Sequence, residues 1–370
     1  MITTFDCTMG IERVFNFGAG PAVLPEPVLE EARRDLLSLP GVGMSVLEIS
    51  HRSETFERII QTAEADIRKL ACIPDGYRVL FLSGGATQQF AMVPMNLLPA
   101  GGFADYVLTG AWSKKAFAEA KKFGAVRVAG TTERDEFARI PDSRELDLQP
   151  DAAYVHVTSN NTIYGTQWPT MLDTGDVPLV SDASSDFFSC PIDVARHGVI
   201  YAGAQKNLGP AGVTLVLARA DLVRGAPDTL PTTMRYETAS DHGSLYNTPP
   251  VFAVYLVGLV MKWLLGNGGL KEMARRNERK AQTLYAAIDR GDFYHGTANS
   301  QSRSRMNVTF RLPSEEHDTR FVQEAAAAGL VGLKGHRSVG GQRASISNAF
   351  PEEGVDALVS FMAEFERMSG

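Results

Sequence analysis

Between residues 77 and 219 the chain repeats one unit, a short run of β-branched and aromatic residues followed by a polar or helix-compatible stretch. The runs are "RVLFL", "ADYVLTG", "VRVAG", "AAYVHVTS", "VPLVSDAS", "GVIYAGAQ" and "GVTLVLAR". Apolar strands alternating with helices predict an α/β domain around a mainly parallel sheet covered on both faces. Ligands of such sheets bind beyond the carboxyl ends of the strands, so the residues just after each run are the candidates for function.

At 370 residues the chain exceeds what a single core usually serves. The apolar "VFAVYLVGLVMKWLL" at 251–265 is shorter than the ~20 residues of a membrane helix and contains Lys262, so it reads as a buried core helix stopped by "GNGG". Beyond it, a charged helix, "RSRMNVTFRL", a helical "DTRFVQEAAAAGL", the glycine-rich "VGLKGHRSVGGQRASISNA" and a last amphipathic helix predict a smaller C-terminal α+β domain. The expected division is an N-terminal arm over 1–24, a large domain over 25–266 and a small domain over 267–370. A net charge of −7 disfavours broad binding to nucleic acid and makes any anion site a local one. Cys7, Cys72 and Cys190 are too few and too scattered for a disulfide framework, and the N-terminus lacks a secretory pattern; a reducing cytoplasm fits both.

Three strand ends carry chemistry. Ser83-Gly84-Gly85-Ala86-Thr87 lies between a strand and a helical run, where small residues let backbone N–H groups approach an anion at the helix N-terminus. Taken alone it is equally an ordinary strand-to-helix turn. Asp182 ends "VPLVSD" and is either a helix cap or a buried carboxylate that holds a cation. Lys206 ends "GVIYAGAQK" with Gly203 and Ala204 leaving little side chain before it. A lysine, a carboxylate and an anion cradle at neighbouring strand ends are the parts that hold pyridoxal 5′-phosphate, and no residue set suggests a metal.

With "FNFGAGPAVLP", "HRSETF", "GAWSKKA", "YAGAQKNLGPAG", "SLYNTPP" and "KGHRSVGGQRASI" in this order, the chain resembles the phosphoserine aminotransferases, class-V aminotransferases of pyridoxal-phosphate fold type I, from about Val14 to the C-terminus. The resemblance implies the aspartate-aminotransferase-like large domain with its mainly parallel seven-stranded sheet. It implies that Lys206 attaches the cofactor's aldehyde and later moves a proton, that Asp182 keeps the pyridine nitrogen protonated, and that Trp112 stacks on the ring. Thr162 would bond near the phenolic oxygen. Ala86, Thr87 and Gln205 would hold the cofactor phosphate, completed by Asn247 and Thr248 of a neighbouring subunit, which implies a homodimer with shared sites. His51, Arg52, His336 and Arg337 would meet the substrate's distal anion and Arg343 its α-carboxylate. Some family members carry, where this chain has Thr87, an arginine placed to meet the substrate's phosphate, so this chain must bind the substrate's phosphate with fewer local charges.

The implied reaction is reversible amino transfer between L-glutamate and 3-phosphohydroxypyruvate in serine biosynthesis, in the cytoplasm, with no membrane partner. Whether a phosphorylated threonine analogue of vitamin B6 synthesis is a second substrate stays open. The alternatives are another fold type I enzyme acting on a small amino acid, such as a desulfurase, and a non-catalytic protein of the same fold. A desulfurase would need a nucleophilic cysteine in a mobile loop, a small-amino-acid aminotransferase would not, and a non-catalytic protein would be expected to have lost the lysine, the aspartate or the arginine clamp.

Overall fold

The computed structural model describes residues 13–369. Residues 1–12, half of the expected arm and Cys7 with them, lie outside the described residues. The seven strand-like runs form one sheet: β1 Tyr77–Leu82, β2 Phe103–Leu108, β3 Ala125–Thr131, β4 Val155–Thr158, β5 Leu179–Asp182, β6 Val199–Gly203 and β7 Thr214–Arg219. Their spatial order is β1-β7-β6-β5-β4-β2-β3. Every pairing is parallel except those of β7, which runs antiparallel to both β1 and β6. The short connection over residues 204–213 has no room for a crossover helix, so β7 must turn back beside β6.

Helices cover both faces, which is why the strands are apolar at consecutive positions. On one face Val79, Phe81, Ile200, Ala202, Leu215 and Leu217 pack with helices α1 (Glu54–Ala71) and α4 (Val251–Gly266). On the other, Leu80, Tyr106, Val180, Tyr201 and Val216 pack with α2 (Gly85–Leu97) and α3 (Ala111–Ala120). Because β1, β2, β4, β5 and β6 point the same way, their carboxyl ends and the N-termini of α2 and α3 meet at one edge.

A second core lies on a three-stranded antiparallel sheet of β8 (His295–Gly296), β9 (Asn307–Arg311) and β10 (Gln342–Ser345). Helices α5 (Gly269–Ile288), α6 (Glu315–Ala327) and α7 (Glu352–Ser369) cover it with Leu284, Phe321, Leu358 and Phe365. The N-terminal segment joins this core: Phe17 is fully buried in it, and Phe15–Asn16 pairs in parallel with Leu330–Val331. Among the described residues no single helix is long and apolar enough to cross a membrane.

Candidate active site

Two neighbouring strands deliver the central pair. Asp182 is the last residue of β5 and stands in register with Tyr201 of β6, and Lys206 follows β6 by one tight turn in which the Leu208 and Gly209 N–H groups bond back to the Ala204 carbonyl. The Lys206 Nζ donates to the carbonyl of Ala19 at 2.5 Å. That carbonyl belongs to "GAGP", the stretch by which the N-terminal segment crosses over the lysine. A Cβ on Gly20 would stand 2.3 Å from Nζ, so any larger residue there would push the amine out of this position. The sequence reading quoted this stretch without giving it a role; its two glycines beside a proline were the available signal.

The Lys206 amine is lowered to about 8, chiefly by burial and next by the charge of Arg343, with Asp182 opposing both. Burial likewise raises the Asp182 carboxyl above its usual range, offset in part by two bonds to its Oδ1, from the Ser184 hydroxyl at 2.6 Å and the Ser184 N–H at 3.1 Å. The Ser184 hydroxyl also accepts the Gly203 N–H, tying the carboxylate to the end of β6. Behind it the single Ser159 hydroxyl proton is shared between the Asp182 carbonyl and the half-buried Asp186 carboxylate. Deeper on the same face lies a polar layer: His156 stacks on Tyr106 and meets the Tyr201 hydroxyl at 2.8 Å, and burial drives the His156 imidazole down to about 3, so it stays neutral.

The anion cradle is built at the start of α2. Gly84 precedes the helix with φ +90, no side chain caps the first turn, and Gly85 has open space where a Cβ would be. The free N–H groups of that turn and the helix dipole make Ala86, partly buried, and Thr87, exposed, an anion-ready pair. Trp112, half-buried in the first turn of α3, has the Lys115 ammonium 4.3 Å from its ring centroid. Thr162 is buried in the short hairpin after β4. Gln205 is half-buried, its side chain folded back over Gly203.

Arg343, on β10, is the only arginine among the described residues that is shielded from solvent and yet has no ion-pair partner. Burial alone lowers its guanidinium. His336 stands near it: burial lowers its imidazole, with Arg343, Arg337 and Lys115 adding repulsion in that order. The loop carrying His336 and Arg337 is closed by the Gly335 N–H on the Gly341 carbonyl at 2.8 Å, and Gly340 and Gly341 take φ +70 and +64 to make it. The structure therefore brings Asp182, Lys206, Arg343, His336 and Arg337 into one electrostatic neighbourhood.

His51 and Arg52 lie elsewhere within the chain, in the turn before α1 that Ser53 caps by accepting the Phe56 N–H. No hydrogen bond or ion pair ties them to Lys206, Arg343 or His336. Asn247 and Thr248 are exposed in the loop before α4, where Asn247 lines a cavity of about 120 Å³ with Ser83 and Gln88 of its own chain. Cys72 lies at the end of α1 beside the amino end of β1, at the edge of the sheet opposite Asp182 and Lys206, and burial raises the Cys190 thiol, so neither is placed as a nucleophile for this site.

The family model of the class-V aminotransferases matches residues 14–358. The chain is 54% identical to a phosphoserine aminotransferase of Desulfatibacillum aliphaticivorans over 97% of its own length and 99% of the relative's. Its fold is similar to that of phosphoserine aminotransferase from Bacillus circulans subsp. alkalophilus, with a TM-score of 0.95 at 50% identity over 97% of this chain and 99% of that one. The pyridoxal-phosphate-bound phosphoserine aminotransferase of Trichomonas vaginalis superposes with a TM-score of 0.90 at 37% identity, over 95% of this chain and 100% of that one.

Proposed function

The chain belongs to the class-V aminotransferase family, and from that premise we propose that it transfers an amino group reversibly between L-glutamate and 3-phosphohydroxypyruvate, giving O-phospho-L-serine and 2-oxoglutarate, with pyridoxal 5′-phosphate as cofactor. The observation that carries the reading is Arg343. A shielded guanidinium without a counter-ion is costly, and a substrate carboxylate that takes its fork of donors relieves that cost.

The residues present fit the cofactor. Lys206 offers an amine with lowered basicity, Asp182 a buried carboxylate whose Oδ2 takes no bond from the described residues, the uncapped start of α2 a phosphate seat, and Trp112 a flat face. When bound, pyridoxal phosphate supplies an aldehyde for attachment and a ring that withdraws electrons from the substrate's Cα. Lys206, with a substantial neutral fraction near pH 8, would act as the base that takes the proton from the substrate's Cα and as the acid that delivers it to the cofactor's C4′. Asp182 holds a proton on a ring nitrogen by charge, and Ser184 fixes the direction of its carboxylate. The Ala19 carbonyl keeps the amine facing the site.

His336 and Arg337 on their loop, with His51 and Arg52 of a second subunit, form the pocket for the distal phosphate, and Asn247 and Thr248 of that subunit complete the cofactor's phosphate site. The exposed apolar residues support this homodimer: Leu37, Met44 and Leu47 precede His51 and Arg52, and Tyr246 directly precedes Asn247. We place the enzyme in the cytoplasm, in keeping with its scattered cysteines. The deciding experiment is steady-state amino transfer to 2-oxoglutarate from phosphoserine and from alanine. Strong preference for phosphoserine is expected, and equal turnover of alanine would contradict the proposed substrate.

A further inference from the structure

Three asparagines that the mechanism does not use lie between the two cores. Asn207 follows Lys206; its Nδ2 donates to the Phe187 carbonyl at 3.2 Å and its Oδ1 accepts the Asn348 N–H at 3.0 Å. Asn348 donates through Nδ2 to the Phe188 carbonyl at 2.9 Å and accepts from Asn277 Nδ2 at 2.8 Å. Asn277, on α5, also donates to the Ser189 carbonyl at 3.0 Å. Three successive carbonyls of the turn after Asp182 are thus each held by one asparagine. Phe188 in that turn has φ +60, a conformation a bulky residue holds only when its surroundings fix it.

One turn along α5, the buried Lys280 donates to the carbonyls of Ile346, Ser347 and Phe350 at 3.0, 2.6 and 3.1 Å, so all three of its N–H groups are engaged. These carbonyls lie in the segment that continues from Arg343 past Asn348. Asn277 keeps its Oδ1 buried without a partner, a cost that a residue present only to fill space would avoid.

We infer that Asn207, Asn277 and Asn348 are positioning residues that lock the ends of β5 and β6, and with them Asp182 and Lys206, at one spacing from the segment carrying Arg343. The inference rests on the cofactor and substrate roles proposed above. It gives the small α+β unit a task beyond covering the site, since the guanidinium that takes the substrate and the amine that reacts with it are joined by one buried chain of amides.

The test compares holoenzymes of Asn207→Ala and Asn277→Ala with Leu358→Ala, a core truncation remote from the chain of amides. Three quantities are read: the pH midpoint of the visible cofactor absorbance, the rate of cofactor release, and kcat against KM for phosphoserine and glutamate. In both asparagine variants the midpoint is expected to move, cofactor release to rise about tenfold and kcat to fall about tenfold, with KM changing less. Leu358→Ala should lower the melting temperature with the midpoint and release rate in place. Asparagine variants that behave like Leu358→Ala would overturn the lock. Should Asn277→Ala fail to fold, Asn207→Asp keeps Oδ1 for the Asn348 N–H and loses the Nδ2 bonds to the Phe187 carbonyl and the Met306 sulfur; an unchanged midpoint and release rate there would also overturn it. A wild-type chain without a visible band overturns the cofactor reading and the lock with it, whereas a band that the variants leave unmoved overturns the lock alone.

Discussion

The floor of the site and its rim are built by opposite means. On the floor, the buried Asp182 and the half-buried Lys206 stand at the ends of adjacent parallel strands, both hydrogen-bonded, and their ionisation is set mainly by loss of water. On the rim, Arg52, Arg337 and Thr87 are exposed, on a turn, a glycine loop and an uncapped helix start. The floor is preorganised by the sheet; the rim is a set of charges and donors that acquires its geometry when an anion and a second subunit are in place. Arg343 belongs to both, since its backbone is fixed in β10 while its guanidinium has no partner.

This contrast orders the expected effects of substitution. The largest falls on the floor: Lys206→Ala removes attachment and proton transfer together, with a loss in kcat of at least on the order of 10²–10⁴-fold. An active Lys206→Ala enzyme without added amine would break the comparison at its first step. Next, Asp182→Ala should lower kcat roughly 10²–10³-fold, as removal of a preorganised charge does, with a much smaller effect on stability. A mere cap would behave the other way, costing about 1 kcal/mol of stability with turnover per folded molecule nearly intact.

The amine itself supplies a pH test. With Lys206 lowered to about 8, its neutral and reactive fraction falls about tenfold for each pH unit below that value and levels off above it. The rate at which cofactor-free protein takes up pyridoxal phosphate should follow that curve, read as growth of the visible band. A rise that continues to pH 10 would mean that the lysine is not desolvated and that the floor is not preorganised.

The smaller effects separate the two kinds of arginine. Arg343→Ala should cost about 1.5–3 kcal/mol in kcat/KM for every amino acid, since all carry the α-carboxylate. Arg337→Ala and Arg52→Ala, at exposed positions, should cost about 1 kcal/mol, roughly fivefold, and only with substrates that carry a distal anion, phosphoserine and glutamate but not alanine. Equal losses with alanine would remove the phosphate-pocket assignment, and a loss confined to phosphoserine in Arg343→Ala would remove the carboxylate clamp.

The floor was legible because its residues sit where a periodic pattern stops. Seven apolar runs gave seven strands, and the strand-end rule pointed to Asp182 and Lys206 without any relative. The reversed direction of β7 was not read, although the short connection before it implies that reversal. The rim was legible only through resemblance, because His51, Arg52, His336 and Arg337 look like solvated loop residues until something closes around them. Asn277 was missed for a related reason: within "MARRNERK" it reads as one more polar residue on a charged helix face, and only the tertiary fold shows it buried. The Ala19 carbonyl was missed because a backbone atom leaves no mark of its own in a sequence, and the glycines and proline around it signal only a close approach of the chain, not what it approaches.

Among the described residues two lysines have lowered basicity, the half-buried Lys206 and the buried Lys280, and the choice between them tests the account most directly. Lys280 is driven down to about 7, further than Lys206, but three carbonyls engage its ammonium and none of the other expected site residues surrounds it. Reduction of the holoenzyme with borohydride, digestion and mass spectrometry of the peptides will locate the cofactor. The account predicts the cofactor's mass on the peptide carrying Lys206. Label on the Lys280 peptide, or on none, would contradict it.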